Sequence, residues 1–247
     1  MDLSERSGDA TRRHPWETAR VTVVQKIVEK LGLERPRVLD VGSGDGYLVQ
    51  ALHEALRFAD VIAQDIHLTD ALAAELSRPG VAFVRELTDP QYRADLILLM
   101  DVLEHVESAV EFLSQLARER LSPEGRIVIT VPAFQLLFTD HDRALKHFRR
   151  YDRAELIRDV ESAGLAVIDS GYLFASLVPP RALSALRERL WPRREASHGV
   201  GNWRGPSLVT QLLHGVLALD GRLCLAARER GLIVPGLTVW LTCKTQS

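Results

Sequence analysis

Val38-Leu39-Asp40-Val41-Gly42-Ser43-Gly44-Asp45-Gly46-Tyr47-Leu48 packs three glycines and two acids into one turn. A short apolar strand ends in an acid, and the glycines then lead into a helix. Ligands of open α/β sheets bind beyond the carboxyl ends of the strands. Glycines at that point let the backbone come close to a ligand. The spacing is G-x-G-x-G. A dinucleotide fingerprint is G-x-G-x-x-G, with a pyrophosphate received at the helix N-terminus. Asp40 and Asp45 would repel a pyrophosphate and suit a cationic ligand.

Outward from this turn the chain alternates. Pro15 opens a helix on Val21, Val24, Ile27, Val28 and Leu31, and Gly32 stops it. Strands are expected at Arg37–Val41, Asp60–Gln64, Val81–Arg85, Ala94–Met100, Arg126–Val131 and Leu165–Phe174. Helices are expected at Tyr47–Arg57, Thr69–Ser77, Ser108–Arg120 and Asp152–Ala163. Ala94–Met100 (ADLILLM) is a continuous apolar run, the mark of a strand buried on both faces. This order implies parallel βαβ units in a doubly wound, Rossmann-like α/β fold of three layers. Gly236–Lys244 reads as a final antiparallel strand. Between Phe174 and Pro235 lie two helical stretches, Pro180–Leu190 and Ser207–Arg230. They read as an insertion at 176–234, packed as a helical cap on a domain formed by 15–175 and 235–247. Residues 1–14 read as a flexible polar arm without the apolar core of a signal peptide.

S-adenosylmethionine fits the turn: it carries an amino group, a sulfonium and ribose hydroxyls, and no phosphate. VLDVGSGDGYL also resembles the first motif of class I S-adenosylmethionine-dependent methyltransferases, and the likeness continues in order. Asp65, with Ile66 after it, ends the second strand where that family places an acid for the ribose hydroxyls. Glu86 follows the third strand, where a polar side chain lies near the adenine. LILLMDVLEHV resembles the fourth-strand motif, with Met100, Asp101 and Val102 beside the cofactor and His105 a turn later. The resemblance thus implies cofactor contacts at Asp40, Gly42, Ser43, Gly44, Asp45, Gly46, Asp65, Ile66, Glu86, Met100, Asp101 and Val102, with S-adenosylhomocysteine as product. Plainer readings exist: Asp65 as a helix cap, Glu86 as a surface acid, Asp101 and Glu104 as first-turn acids, His105 as a core histidine.

A second cluster, Thr139–Tyr151 (TDHDRALKHFRRY), follows the fifth strand and should overhang the cofactor loops. It resembles the H-D-x-x-x-x-H-x-R-R-Y segment of a bacterial methyltransferase branch (the methyltransferase-11 and -23 group), which also shares the His14-Pro15-Trp16-Glu17 start. Methyl transfer needs nucleophile, methyl and sulfur in line, with water excluded. A hydroxyl acceptor also needs its proton removed, a task for a histidine oriented by a carboxylate. His141, with Asp142 beside it in sequence, is the first expected base and His105 the second. His147, Arg150, Tyr151 and Phe134 are expected to bind substrate. No metal is expected, because the His and Asp spacing matches no recognised ligand set. The plain alternative for the cluster is a solvated charged loop.

Composition bounds the partners. The 247 residues are 46% hydrophobic and 26% charged, an ordinary globular balance. The net charge of -2 is split. Residues 1–175 hold 21 basic and 29 acidic side chains, a net of -8; residues 176–247 hold 10 and 4, a net of +6. No nucleic-acid partner is expected from this balance. Cys224 and Cys243 are too few for a disulfide framework and fit a cytoplasmic setting. No run of about 18 uninterrupted apolar residues occurs, so no spanning helix is expected. Arg181, Arg187, Arg189, Arg193 and Arg194 accompany apolar side chains in the insertion. It reads as a cap on the sheet edge, or as a surface for a lipid-like substrate or membrane interface, or as the contact of a homodimer rather than a monomer. The expected activity is methyl transfer to a small-molecule, lipid or glycan acceptor, most simply at oxygen. The alternatives are a nicotinamide-dependent oxidoreductase and a non-catalytic S-adenosylmethionine-binding module.

Overall fold

The structure, a computed structural model, describes residues 13–191 and 205–246. The arm at 1–12 and the arginines 193 and 194 lie outside the described residues. Seven strands form one sheet in the order β3-β2-β1-β4-β5-β7-β6. They are β1 (Arg37–Val41), β2 (Asp60–Gln64), β3 (Val81–Val84), β4 (Ala94–Met100), β5 (Leu121–Pro132), β6 (Leu165–Leu173) and β7 (Thr238–Thr245). Strands β1 to β5 pair in parallel, and β7 runs antiparallel to both β5 and β6. Strand order reverses between β1 and β4. Two neighbouring connections therefore leave in opposite directions there and open a crevice above the carboxyl ends.

Helices cover both faces. On one side lie α1 (Pro15–Lys30), α2 (Tyr47–Leu56), α3 (Asp70–Leu76) and α8 (Ser207–Glu229); on the other lie α4 (Ala109–Arg120) and α6 (Arg153–Ser162). Strand β4 shows why both layers are needed. Leu96, Leu98 and Met100 enter the first core, while Ile97 and Leu99 enter the second. Alternation along a strand sends successive side chains to opposite faces, so the apolar run Leu96–Met100 demands cover on both.

The sequence did not foretell three features. Strand β5 starts at Leu121, five residues before the expected Arg126, because Leu121 pairs with Ala94 ahead of a register shift. The loop after β5 folds into a short helix, α5 (Asp140–Ala144), closed by a Thr139–Asp142 capping box. The expected cap is divided. Helix α7 (Val178–Leu190) reaches the crevice through Arg181. Helix α8 joins the helical layer beside α1, burying Leu217, Gly221, Cys224 and Leu225. It is also long and apolar enough, by length and composition, to cross a membrane: an 18-residue stretch has mean hydropathy 1.3, with 28% of it buried. Thr210, Gln211 and His214 break the apolar run and hid this.

Gly221 sets the seating of α8. A Cβ there would stand 2.4 Å from the Cγ2 of Val23, itself fully buried in α1. Gly221→Val should therefore lower stability by about 1–3 kcal/mol through overpacking, read as a fall in Tm. An unchanged Tm would mean that α8 is not held against α1.

Candidate active site

The crevice holds a cavity of about 620 Å³, and a recess of about 30 Å³ shares Glu17, Arg20, Gly42 and Met100 with it. The glycine turn forms one wall. Gly42, Gly44 and Gly46 all have left-handed backbones, with φ of 71°, 57° and 69°. Two could carry no side chain in any case. A Cβ on Gly42 would lie 2.7 Å from Val102 Cγ2, and one on Gly46 would lie 2.1 Å from Phe83 Cζ. The turn after β1 is thus pressed against the turn after β4. Asp65 stitches it to β2: its carboxylate accepts from Gly44 N at 2.8 Å and His67 N at 2.9 Å. A carboxylate offers about four acceptor positions, so two remain for a pair of hydroxyls.

The acids beside the turn do not stand bare. Asp45 is paired with Arg13 at 2.5 Å, and Asp101 with Arg20 at 3.0 Å. Arg20 also donates to Thr130 and lies over the Trp16 ring. Asp101 sits at φ 60°, a conformation that costs a non-glycine residue about 1–3 kcal/mol. Arg20 and Thr130 hold its carboxylate in place. Asp40 keeps a buried Oδ1 without a partner. Burial pushes its pKa up to about 7, with the Arg20 charge opposing. A buried carboxyl with an unpartnered oxygen in a recess suits a ligand cation. The donor with an amino group and ribose hydroxyls therefore fits the residues present.

The opposite wall is built on Asp142, which has no exposure to solvent. Its Oδ1 accepts from His147 Nδ1 at 3.2 Å and from Arg150 Nε at 2.7 Å. Its Oδ2 accepts from Thr139 N at 2.8 Å and Arg181 Nη2 at 2.5 Å. Burial alone would raise the Asp142 pKa; the bonds from His147, Arg150 and Thr139 outweigh it and hold it far below the carboxylate range. His105 meets His147 edge to face at 4.6 Å. Glu104 is 1% exposed, and both its carboxyl oxygens lack a partner. Burial, then the Asp101 charge, pushes its pKa well above the usual range. Glu104, His105 and His147 bring one polar atom each within 4.8 Å of one another.

The cavity gathers Gly42, Asp65, Ile66, Met100, Asp101, Val102, His105, His141, His147 and Arg150; the recess takes Asp40 and Ser43. Gly44, Asp45 and Gly46 act from behind the wall. Three expected residues stand apart. Glu86 lies two residues beyond the end of β3 and is exposed, away from the cavity. Tyr151 is fully buried in the core beneath α4 and α6, pinned by its N–H to Pro132 O. Phe134 stacks on Tyr172 with centroids 5.2 Å apart, outside the cavity. Asp142 also points away from the expected arrangement: its carboxylate orients His147, not His141. Burial, then the Arg181 charge, lowers the His141 pKa. Arg20 was not among the expected site residues, and Glu17 figured only as part of the shared start, yet 17, 20, 24 and 27 fall on one face of α1. Charges in line with an apolar stripe must find buried partners. Arg181 and Glu104 carried no comparable sign.

Comparison with known proteins gives the same picture. A methyltransferase-domain family model matches residues 15–170. The ubiquinone biosynthesis O-methyltransferase of Azorhizobium caulinodans is 29% identical over 165 residues, covering 57% of this chain and 63% of that protein. The enzyme of the same name from Rhodopseudomonas palustris strain TIE-1 is 35% identical over 104 residues, covering 39% and 40%. The chain thus spans less than two thirds of the curated relatives it matches. A solved coclaurine N-methyltransferase bound to N-methylheliamine and S-adenosylhomocysteine shares the fold, with TM-score 0.55 and 15% identity over 91% of this chain and 70% of that one.

Asp142 anchors two nearly buried guanidiniums, on Arg150 and Arg181. Asp142→Asn leaves both without their counter-ion and should cost about 3–5 kcal/mol, measured by denaturant unfolding near neutral pH. Because the folded-state pKa is depressed, this contribution is complete above the unfolded value of about 3.9 and drains away as pH falls below it. A loss under about 1 kcal/mol would show that the cluster carries little of the fold.

Proposed function

Since the chain belongs to the class I S-adenosylmethionine-dependent methyltransferases, we propose that it methylates an oxygen of a small, largely apolar acceptor, with His147 as general base. The observation that carries this reading is the Asp142–His147 contact inside the cavity. A neutral imidazole that donates from Nδ1 keeps its Nε2 lone pair for a proton. The two curated relatives are named as O-methyltransferases, which supports oxygen as the target.

The bound donor supplies a methyl group on a positively charged sulfur. Asp40 and Asp65 would hold its amino and ribose groups, and Ile66 and Val102 its apolar parts. The remaining work falls to this chain's own side chains. As the acceptor oxygen takes the methyl carbon, the carbon–sulfur bond would break with its electron pair left on the sulfur of the neutral thioether product, and the acceptor's proton would pass to Nε2 of His147. The Asp142 carboxylate then stabilises the imidazolium, and Arg150 and Arg181 keep that carboxylate ionised and fixed. Glu104 stands buried beneath His105 and His147 and lines the cavity wall. Leu145, Leu177, Leu217 and Leu237 line the cavity, which favours a lipid-like or aromatic hydroxyl compound over a glycan. The same walls exclude water, so that orientation does most of the catalysis.

Two experiments test this. Methyl-labelled S-adenosylmethionine should label hydroxylated compounds of a lipid extract at oxygen. His147→Gln should slow that transfer about 10²–10⁴-fold while S-adenosylhomocysteine affinity stays unchanged; His141→Gln should cost less than about tenfold. Full activity in His147→Gln refutes the base. Label on nitrogen alone, or on nothing, refutes the acceptor reading. Second, a donor ammonium beside Asp40 favours its charged form, and that form is lost as pH falls through about 7. Calorimetric affinity for S-adenosylmethionine should therefore fall by up to about tenfold per unit below pH 7, and Asp40→Asn should flatten the slope. A flat profile in the unaltered protein contradicts this contact.

A further inference from the structure

Helix α8 is apolar on two opposite sides. One carries Leu217, Gly221, Cys224 and Leu225 into the core. The other presents Leu208, Leu212, Val216, Leu219 and Leu223 to solvent, each 49–78% exposed. No charged side chain occurs from Ser207 to Leu219, and the single histidine there bonds through Nδ1 to Thr18. Helix α7 adds exposed Leu183, Leu186 and Leu190, with Trp191 at its end. Monomeric proteins rarely leave so continuous an apolar surface bare.

Charge decides what covers it. The three described acids of this segment are all engaged. Glu188 accepts from Asp140 N, Asp220 from Ser176, and Glu229 pairs with Lys30. Arg187, Arg189, Arg222 and Arg230 are exposed, and none forms an ion pair among the described residues. A second copy seated face to face would bring these arginines together with no free acid among the described residues of the segment to answer them, since a twofold contact places the same patch on both sides. A bilayer with anionic headgroups answers both needs: phosphates for the arginines, acyl chains for the leucines. Crossing the bilayer is closed to α8, because leaving the sheet would strip its buried face from the core.

We propose that the outer faces of α7 and α8 dock in the plane of an anionic phospholipid bilayer. Leu217 of α8 and Arg181 of α7 line the cavity, so the docked surface adjoins the acceptor site. An acceptor dissolved in the membrane then reaches His147 without passing through water; this last step rests on the O-methylation reading, whereas the docking does not.

Co-sedimentation with lipid vesicles tests it. The protein should bind vesicles of phosphatidylcholine mixed with phosphatidylglycerol, more weakly at high salt, and should bind pure phosphatidylcholine vesicles at least tenfold less well. Leu212→Gln with Leu219→Gln should cut binding at least tenfold. Arg187→Gln with Arg222→Gln should cut binding to the anionic vesicles and blunt the salt effect. Light scattering checks for association. Absence of vesicle binding overturns the proposal, as does a dimer that the leucine changes dissociate while vesicle binding stays nil. Both double variants should keep the S-adenosylhomocysteine affinity of the unaltered protein. Labelled transfer to detergent-dispersed acceptor that survives when vesicle binding is absent would sink the docking alone.

Discussion

A single buried carboxylate orders the cavity wall opposite the glycine turn. Asp142 ties three chain segments to one point: the loop after β5 through Thr139, the stretch before α6 through His147 and Arg150, and α7 through Arg181. Buried cations need partners, and buried carboxylates need donors. Here each requirement meets the other. The arrangement fixes which way the His147 ring faces. It also brings α7 against the cavity, although α7 lies some forty residues further along the chain.

The donor side rests on a different constraint, close approach of backbone. Glycine at 42 and 46 lets the turn after β1 lie against Val102 and Phe83, and Asp65 locks it there by hydrogen bonds. The charge split between the two parts of the chain takes a different meaning in three dimensions. Beside the glycine turn Asp45 is matched by Arg13 and Asp101 by Arg20, while Asp40 and Glu104 keep buried oxygens without a partner. The basic excess of the last part is divided between Arg181, spent inside on Asp142, and arginines on the exposed rim of α7 and α8. The charges around the glycine turn and those on the outer faces of α7 and α8 are therefore separate sets.

The sheet and its glycine turn are legible in the sequence because they obey local rules. Strands announce themselves by short apolar runs, and the turn by residues that only a tight, left-handed backbone requires. The histidines were legible as a group, but which of them the Asp142 carboxylate contacts was not. Asp142 adjoins His141 in sequence, yet a helical turn carries the carboxylate toward residue 147 and away from its neighbour. Tyr151 and Phe134 stand apart from the cavity for other reasons: a bridge between Ala133 and Tyr151 turns that ring into the core, and Phe134 stacks on Tyr172. The place of α8 was hidden because its apolar pattern serves two faces at once. Sequence spacing shows that a face is apolar, and only the packing of Gly221 on Val23 shows which one is buried.

The central claim is that Asp142 holds His147 as a base with a free Nε2. Long-range proton–nitrogen correlation spectra of the histidine rings, taken where His147 is neutral, report the tautomer directly. The account predicts an Nδ1–H tautomer for His147 that is lost, or mixed with the other form, in Asp142→Asn. An Nε2–H tautomer in the unaltered protein, or a His147 signal indifferent to Asp142, would contradict it.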